Sequence, residues 1–449
     1  MTERELRATF PRDLGDGLVL RFAQADDIDA VVAFNRRTLT DWCGPWTRDL
    51  MAGQHPATQA SDFTVVEDTR GNKVVSSLCL ISNTWTYGGI PFGCGQIELV
   101  GTDPGYRRRG LVRKQIDVVH ALSAARGELV QAIYGIGWFY RQFGYEMALD
   151  AHGSIVLGVD ATPPLPDGQE EAYHLRAAAT DDLPYIRSLY DQDCERQLWA
   201  VGRTAAEWEF ERNRPVSEEE PWGWSAVTII ETSAGDRAGY VLHRRKLNRG
   251  QLIVRQVSVE AGQSLLNVMP SLLRGLAQLA DTMDSTGESD DRTLRRVAFF
   301  LGRDHAAYQA LPPQASRPRQ PGARYVRVPE MVAFLRHIRP ALERNLLGTV
   351  AEGYTGELRV GFYSHGVKLN FERGRLEAID EAGDPWAWIE GDSWVWCNFP
   401  DRTFLQLLCG RRTVAELQES FPDCEASDTA PVLLDCLFPQ FTGNLWPLM

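Results

Sequence analysis

No stretch of this chain is apolar for long enough to cross a bilayer, which takes about 20 residues as a helix. The segment Met1 to Pro11 alternates charge and lacks an apolar centre, so no signal peptide is expected there. Basic residues are in the minority. Lys and Arg number 47 against 60 Asp and Glu, a formal charge of −13. That balance argues against general nucleic-acid binding and favours cationic partners. Cysteine is sparse. None of Cys43, Cys79, Cys94, Cys194, Cys397, Cys409, Cys424 and Cys436 forms a Cys-x-x-Cys pair or stands at zinc spacing from a histidine. No structural metal is expected. The thiols read as reduced and mostly buried, in a cytoplasmic protein.

What is present is an ordinary globular composition, 44% hydrophobic and 24% charged. A length of 449 residues exceeds one ordinary domain. Asp160 to Glu171 is rich in proline and acid, and Leu311 to Arg324 is rich in proline and arginine. Both lack hydrophobic periodicity and read as linkers. They divide the chain into parts at 1–160, 172–312 and 325–449.

In the first part, Leu18 to Phe22 reads as a strand, and Asp26 caps a helix carrying Ile28, Val31, Val32 and Leu39. Phe63 to Val66 and Val74 to Ile81 read as strands joined at Gly71-Asn72. Another strand is expected at Gln96 to Val100. Val112, Ile116, Val119 and Leu122 then recur at helical spacing, and Leu129 to Ile133 is the next strand. The second part repeats the opening. Leu175-Arg176-Ala177-Ala178 before Asp181-Asp182-Leu183 echoes Leu20-Arg21-Phe22-Ala23 before Asp26-Asp27-Ile28. Strands are expected at Ala226 to Glu231, Gly239 to Arg244 and Leu252 to Val259. In the third part, Met331, Phe334, Leu335, Ile338 and Leu342 mark one helix after Pro329. Leu358 to Phe362 and Val367 to Phe371 alternate as strands around His365-Gly366. The pairs Trp386/Trp388 and Trp394/Trp396 suggest two more strands, as core or as the wall of a lipid groove. Three short helices follow, one opened by a Thr413–Glu416 capping box.

Between Val100 and Tyr145 the residues carry chemistry. Asp103-Pro104-Gly105-Tyr106-Arg107-Arg108-Arg109-Gly110-Leu111 is a basic, glycine-closed loop between a strand and a helix. Such a loop points backbone N–H groups and a helix N-terminus at a pyrophosphate. Phe139-Tyr140-Arg141-Gln142-Phe143-Gly144-Tyr145 is an aromatic turn beyond the next strand, read as hairpin core or as the seat of a working tyrosine. After Val259 the second part has Glu260-Ala261-Gly262-Gln263-Ser264 and no arginine loop.

The basic loop resembles the coenzyme A loop of GNAT acetyltransferases, with Arg107 and Gly110 in its first two fixed positions and Val112 departing from the third. The aromatic turn resembles the tyrosine-bearing turn of the same superfamily. With Leu39-Thr40-Asp41-Trp42-Cys43-Gly44-Pro45 and the order of parts, the chain resembles the enhanced-intracellular-survival (Eis) acetyltransferases. The resemblance implies an α/β (α+β) protein: two tandem GNAT-like mixed sheets with flanking helices, the second degenerate, and a C-terminal sterol-carrier-like α+β domain.

It also implies acetyl transfer from acetyl-CoA to an amine, with no metal. Val100, Gly101 and Thr102 would pair with the pantetheine arm. Arg108, Arg109, Gly110, Leu111, Val112 and Arg113 would hold the pyrophosphate, and Gly135 and Ile136 would flank the acetyl end. Tyr140 would be the general acid and the α-carboxylate of Met449 the general base. Asp41, with Trp42, Trp46 and Trp85, would bind the acceptor: an aminoglycoside-like molecule, another polyamine or a protein lysine. Leu448 stands where some family members carry an acid. A homo-oligomer is implied, hexameric in the family. Two rivals stay open. One is a lipid- or ligand-binding protein with a vestigial transferase. The other is transfer of a different acyl group.

Overall fold

The computed structural model describes residues 1–214, 225–286, 293–316, 318–383, 395–400, 402–441, 443 and 445. Trp386, Trp388, Trp394 and Met449, singled out above, lie outside the described residues. No described helix is long and apolar enough to cross a membrane. All eight thiols are free; Cys194 and Cys436 are half-buried and the others buried.

The first unit runs α1 (Glu3–Arg7), β1 (Arg12–Gly15), β2 (Leu18–Phe22), α2 (Ile28–Thr38), α3 (Cys43–Met51), β3 (Phe63–Asp68), β4 (Lys73–Tyr87), β5 (Ile90–Thr102), α4 (Leu111–Ala125), β6 (Val130–Ile133) and β7 (Glu146–Ala151). β8 (Ile155–Gly158) leads onward. The second unit has β9 (Tyr173–Ala177), α5 (Leu183–Glu195), β10 (Trp199–Val201), α6 (Ala205–Asn213), β11 (Ser225–Thr232), β12 (Arg237–Arg244), β13 (Leu247–Asn248), β14 (Gln251–Val259), α7 (Leu265–Ala280), β15 (Ser285–Thr286) and β16 (Arg296–Phe299). β17 (Gly322–Arg327) opens the third, which continues α8 (Met331–His337), α9 (Arg339–Leu346), β18 (Gly356–Gly361), β19 (Gly366–Glu372), β20 (Arg375–Ala382), β21 (Val395–Asn398), α10 (Phe404–Leu408), α11 (Val414–Ser420), β22 (Glu425–Ala426) and α12 (Ala430–Leu437).

The repeat seen in the sequence is a repeat of structure. The first sheet contains β2-β3-β4-β5-β6 in that order, and the second contains β9-β11-β12-β14 with β16 beside β14. In both, the pair closing the motif is parallel: β5 with β6, and β14 with β16. The short motif builds the same corner twice. Arg21 donates to Asp27 (2.7 Å) and Glu67 (2.9 Å), and Asp27 accepts from Gln24 N. Arg176 donates to Asp182 (2.5 Å) and Glu231 (2.7 Å), and Asp182 accepts from Ala179 N.

The two units then trade strands. β8 leaves the first unit and pairs antiparallel with β16, Ile155 opposite Phe299. β17 returns from beyond the second unit and enters the first sheet between β6 and β7, Tyr325 opposite Ile133 and Met147. Cuts at 160 and 325 therefore follow the sequence but not the sheets. Half of β17, Gly322 to Arg324, lies in the segment read as a linker.

β4 and β5 run well past their expected ends because the far end of their hairpin is a joint. β10 of the second unit pairs with it, Trp199 opposite Tyr87. Trp199 in turn stacks on Phe334 of α8, ring centroids 5.9 Å apart. One apolar cluster runs from Trp85, Tyr87 and Phe92 into the third unit. There the expected strands are β18 and β19, and Thr413 and Glu416 form the expected capping box. The single helix expected over Met331 to Leu342 is two helices, because Pro340 lacks the N–H that would continue the first.

Candidate active site

β5 and β6 pair as far as Ile97 and Ile133, and there they part. A bulge starts at the same point. Glu98 pairs with Cys79 but Gly101 with Ser77, so Leu99 and Val100 share one opposing residue, and Leu99 takes φ 55°. A bulge twists its strand and re-aims the backbone. No described strand covers the β6-facing edge of Val100, Gly101 and Thr102, the residues expected to pair with an extended arm. The end of α2 leans on this stretch. A Cβ at Gly101 would lie 3.4 Å from both Phe34 Cε1 and Thr38 Cγ2.

The loop after β5 is tied back. Asp103 accepts from Gly105 N (2.9 Å), and Tyr106 donates its hydroxyl to Asp68 Oδ2 (2.7 Å). Arg108 and Gly110 both take positive φ, 64° and 73°, which turns the chain abruptly into α4. Gly110 is the N-cap and supplies no side chain, so the first-turn amides at Leu111, Val112 and Arg113 have no side-chain partner there. Arg108, Arg109 and Gly110 are exposed. Arg113 donates to Gln142 Oε1 (2.6 Å), linking this helix start to the aromatic turn. Buried Gln115 fixes α4 against the sheet, accepting from Ser76 Oγ (2.6 Å) and donating to Thr64 O (2.9 Å).

On the other side of the opening, Tyr140 sits in a short 3₁₀ turn, Phe139–Phe143, and is 5% exposed. A Cβ at Gly135 would lie 2.9 Å from Tyr140 Cε2 and 3.4 Å from its hydroxyl, so glycine there lets the ring lie on the strand end. Among the described residues the Tyr140 hydroxyl has no hydrogen-bond partner. Burial, with a smaller contribution from Glu98, pushes its pKa up and keeps it a proton donor. The exchanged strand supports this side. Tyr325 donates to Ile136 O (3.2 Å), and its ring meets Tyr140 edge-on at 5.6 Å. Ile136 and Trp138 are exposed beside it.

Glu98 falls within the strand expected at Gln96 to Val100 and has no role in the sequence reading. It stands at the parting of β5 and β6. Burial raises its carboxyl above the usual range, opposed by a hydrogen bond from Gln96 Nε2 (2.7 Å) and by the Arg324 charge. Its charge reaches both Tyr140 and Cys43. The residue type alone carries no signal; its place at the end of the parallel pairing does.

The acceptor residues separate into two groups. Asp41 and Trp42 are exposed in the turn between α2 and α3, which follows the α2 end that leans on Gly101. Trp46 and Trp85 are core instead. Trp46 packs with Leu50, Met51 and Phe63, its ring 5.6 Å from His55. Trp85 is 0% exposed. It pairs with Phe92, six strand positions from the Cys79–Glu98 pair, roughly 20 Å at 3.3 Å per residue.

Comparisons with known proteins fit this geometry. A family model described as an acetyltransferase (GNAT) domain matches residues 19–148. The chain carries a GNAT acetyltransferase domain. That match covers the parted strands, the loop and Tyr140, and it makes the chain an enzyme of the acetyltransferase class. No curated protein matches the sequence. Solved structures share the fold along nearly the whole length. A probable N-acyltransferase from Enterococcus faecalis V583 superposes with TM-score 0.69 at 13% identity, covering 96% of this chain and 99% of its own. A GCN5-related N-acetyltransferase from Anabaena variabilis gives 0.67 at 16%, covering 95% and 99%. Eis1 from Mycobacterium abscessus gives 0.59 at 14%, covering 95% and 98%. At these identities the likeness is one of fold.

Proposed function

We propose that the first unit transfers acetyl from acetyl-CoA directly to an amine, in the manner of the Eis-like enzymes. The observation that carries this reading is one opening flanked by three features: the uncovered edge at Val100–Thr102, the uncapped start of α4, and the unbonded Tyr140 hydroxyl. A cofactor with a pantetheine arm adds itself to the edge as a strand, which is recognition by main-chain pairing. Its pyrophosphate takes the amides of Leu111 to Arg113, where the helix end favours an anion. Arg108 and Arg109 add charge around it.

An alkylammonium has a pKa near ~10.4 and must lose a proton before it attacks. Glu98 would accept it, directly or through one water; in support, its carboxyl is raised by burial and is a stronger base than an exposed one. The amine nitrogen then bonds to the acetyl carbon. Backbone N–H groups at the bulge would stabilise the oxyanion, and Tyr140 would give its proton to the departing thiolate. Asp41 draws the cationic acceptor toward the opening. A screen of amines with acetyl-CoA, read as free thiol released, tests the reading; acetyl-CoA bound at one site per chain with no amine turned over would refute it.

The α-carboxylate of Met449 is the second candidate base, by resemblance to the family. Residues appended after Met449 would abolish turnover if it acts, and leave the rate within a few-fold if Glu98 does. A homo-oligomer and a sterol-carrier-like third unit belong to the same reading. Light scattering and fatty-acid titration check them.

A further inference from the structure

Arg324 is the odd arginine of the molecule. It is 4% exposed, and its Nε is sealed from solvent without a partner. Among the described residues it makes no hydrogen bond and no ion pair. Its guanidinium lies over the face of Tyr134, 5.6 Å from the guanidinium carbon to the ring centroid. Other buried arginines are matched. Arg203 pairs with Glu211 and Arg214 with Asp49. Arginine does not lose its proton in proteins. A buried charge left unpaired costs several kcal/mol. A residue held at such cost implies a partner that arrives from outside.

The sheet register says where that partner sits. Ile97, Ile133 and Tyr325 lie in one row across β5, β6 and β17. One step toward the opening, the next row is Glu98, Tyr134 and Arg324. The outer two are at least two strand spacings apart, about 10 Å or more between backbones, because β5 and β6 part here. Among the described residues the two form no direct ion pair, although each feels the other's charge. Tyr134, 47% exposed, lies between them as an aromatic floor. Its ring also meets His152 edge-on at 5.0 Å. Burial and the Arg324 charge lower that histidine to about 4, so at neutral pH it does not compensate or add to the charge.

We propose that the acceptor carries a carboxylate beside its amine, in the manner of an amino acid, with the carboxylate on Arg324 and the amine facing Glu98. This rests on the transfer reading above and narrows its acceptor. A guanidinium grips a carboxylate through two parallel hydrogen bonds, which fixes the ligand's direction as well as its charge. The exchanged strand would then be part of the first unit's specificity, and the second unit would be needed to place it.

The test pairs each amino acid with its decarboxylated amine: phenylalanine with phenethylamine, and lysine with cadaverine. kcat/KM should favour the amino acid by roughly 10–100-fold, the worth of a hydrogen-bonded charge. Arg324→Met should collapse that ratio toward one, and Arg324→Lys should recover part of it. Arg324→Met should also melt no lower than the native chain, because it removes an unpaired buried charge. A native preference for the decarboxylated amines, a ratio untouched by Arg324→Met, or a large fall in Tm would overturn the proposal. Calorimetry with N-acetylphenylalanine and N-acetylphenethylamine separates it from the transfer reading, since binding needs no turnover. Arg324-dependent binding of the carboxylated ligand without acetylation of any amine would sink only the transfer reading. Acetylation of amines with no carboxylate preference would sink only this one.

Discussion

The first and second units are one design in two states. Both have the arginine–aspartate corner, the parallel closing pair and a bulge just past it. The bulge in the second unit falls at Arg255, between Leu242–Gln256 and His243–Val254. Counted from the last parallel pair, Ile97–Ile133 in one and Val254–Phe299 in the other, Arg255 holds the place of Glu98. Where the first unit has a carboxylate, the second has a guanidinium, which cannot take up a proton. The loop has changed as well. Glu260 to Gln263 leads to α7 with an acid where the first unit has arginines. The tyrosine persists but is spent. Tyr308, in the matching 3₁₀ turn, accepts from Leu301 N (3.0 Å) and donates to Phe299 O or Gly302 O (2.9 and 3.1 Å).

The second unit still has space beside its bulge. A cavity of about 670 Å³ lies against the second unit's split, lined by Asp193, Arg255, Gln256, Leu301, Asp304 and His305. It faces the third unit, not the opening beside Tyr140. The comparison teaches that a cleft comes with the parted strands. On the transfer reading proposed above, activity needs three further things: an anion-binding helix start, a proton acceptor at the bulge and an unengaged hydroxyl.

The largest expected effect tests that list. Glu98→Gln and Tyr140→Phe should each lower kcat by ~10²–10⁴-fold, the usual worth of one acid–base partner. Affinity for acetyl-CoA should hardly change, because binding uses the edge and the helix start. The Glu98 dependence also has a direction in pH. Its raised carboxyl must be ionised to act, so kcat/KM should rise with pH through that raised value, and the limb should vanish in Glu98→Gln. An unchanged kcat in Glu98→Gln would hand the base role to another carboxylate.

Next in size is the loop. Gly110→Asp places a negative charge and a side chain at the helix start, and should weaken acetyl-CoA roughly tenfold or more. Gly262→Asp is the matched change before α7, also at positive φ (92°), and should leave acetyl-CoA affinity alone. Equal losses in the two variants would mean that the second unit binds the cofactor too.

How much of this was legible in sequence follows from the range of each interaction. The Arg–Asp corner closes within seven residues, so Leu20 to Asp27 and Leu175 to Asp182 display it openly. The loop and Tyr140 are local too. β17 was not legible. Its partners are near Ile133 and Met147, almost 200 residues back, and the prolines before it look like a linker. Arg324 and Tyr325 were hidden with it. Trp46 and Trp85 misled for a related reason. They stand near site motifs in sequence, but the length of β4 carries Trp85 to the far end of the hairpin, where β10 and α8 cover it.

The third prediction concerns the spent tyrosine. Tyr308→Phe should leave acetyl transfer intact and cost ~1–3 kcal/mol of stability, since Leu301 N is left unsatisfied and one donor is lost. Denaturant unfolding and a turnover assay on the same sample check both halves. Tyr140→Phe should show the reverse pattern, with rate lost and stability kept. Similar stability losses in the two would mean that the Tyr140 hydroxyl is bonded in solution.

The smallest effect separates the two corners. Asp27 faces one arginine, Arg21. Asp182 faces two, Arg176 at 2.5 Å and Arg237 at 2.9 Å. Hydrogen bonds from Arg176 hold its carboxyl down at about 2, and those from Arg21 lower Asp27 as well. A carboxylate depressed in the folded state adds stability that is present above its unfolded pKa, near ~3.9, and is lost as pH falls through the folded value. Asp182→Asn should therefore destabilise more than Asp27→Asn at pH 7, by about 1 kcal/mol, one extra charge-assisted hydrogen bond. Asp182→Asn also leaves two arginines facing each other without their shared anion, which adds in the same direction. The gap should narrow between pH 4 and pH 2 as the native aspartates take up protons. Urea midpoints of the two variants at pH 7 and pH 2.5 measure it. Equal losses at pH 7 would show that Arg237 is only a surface contact, and that the second unit's corner is no stronger than the one beneath the working site.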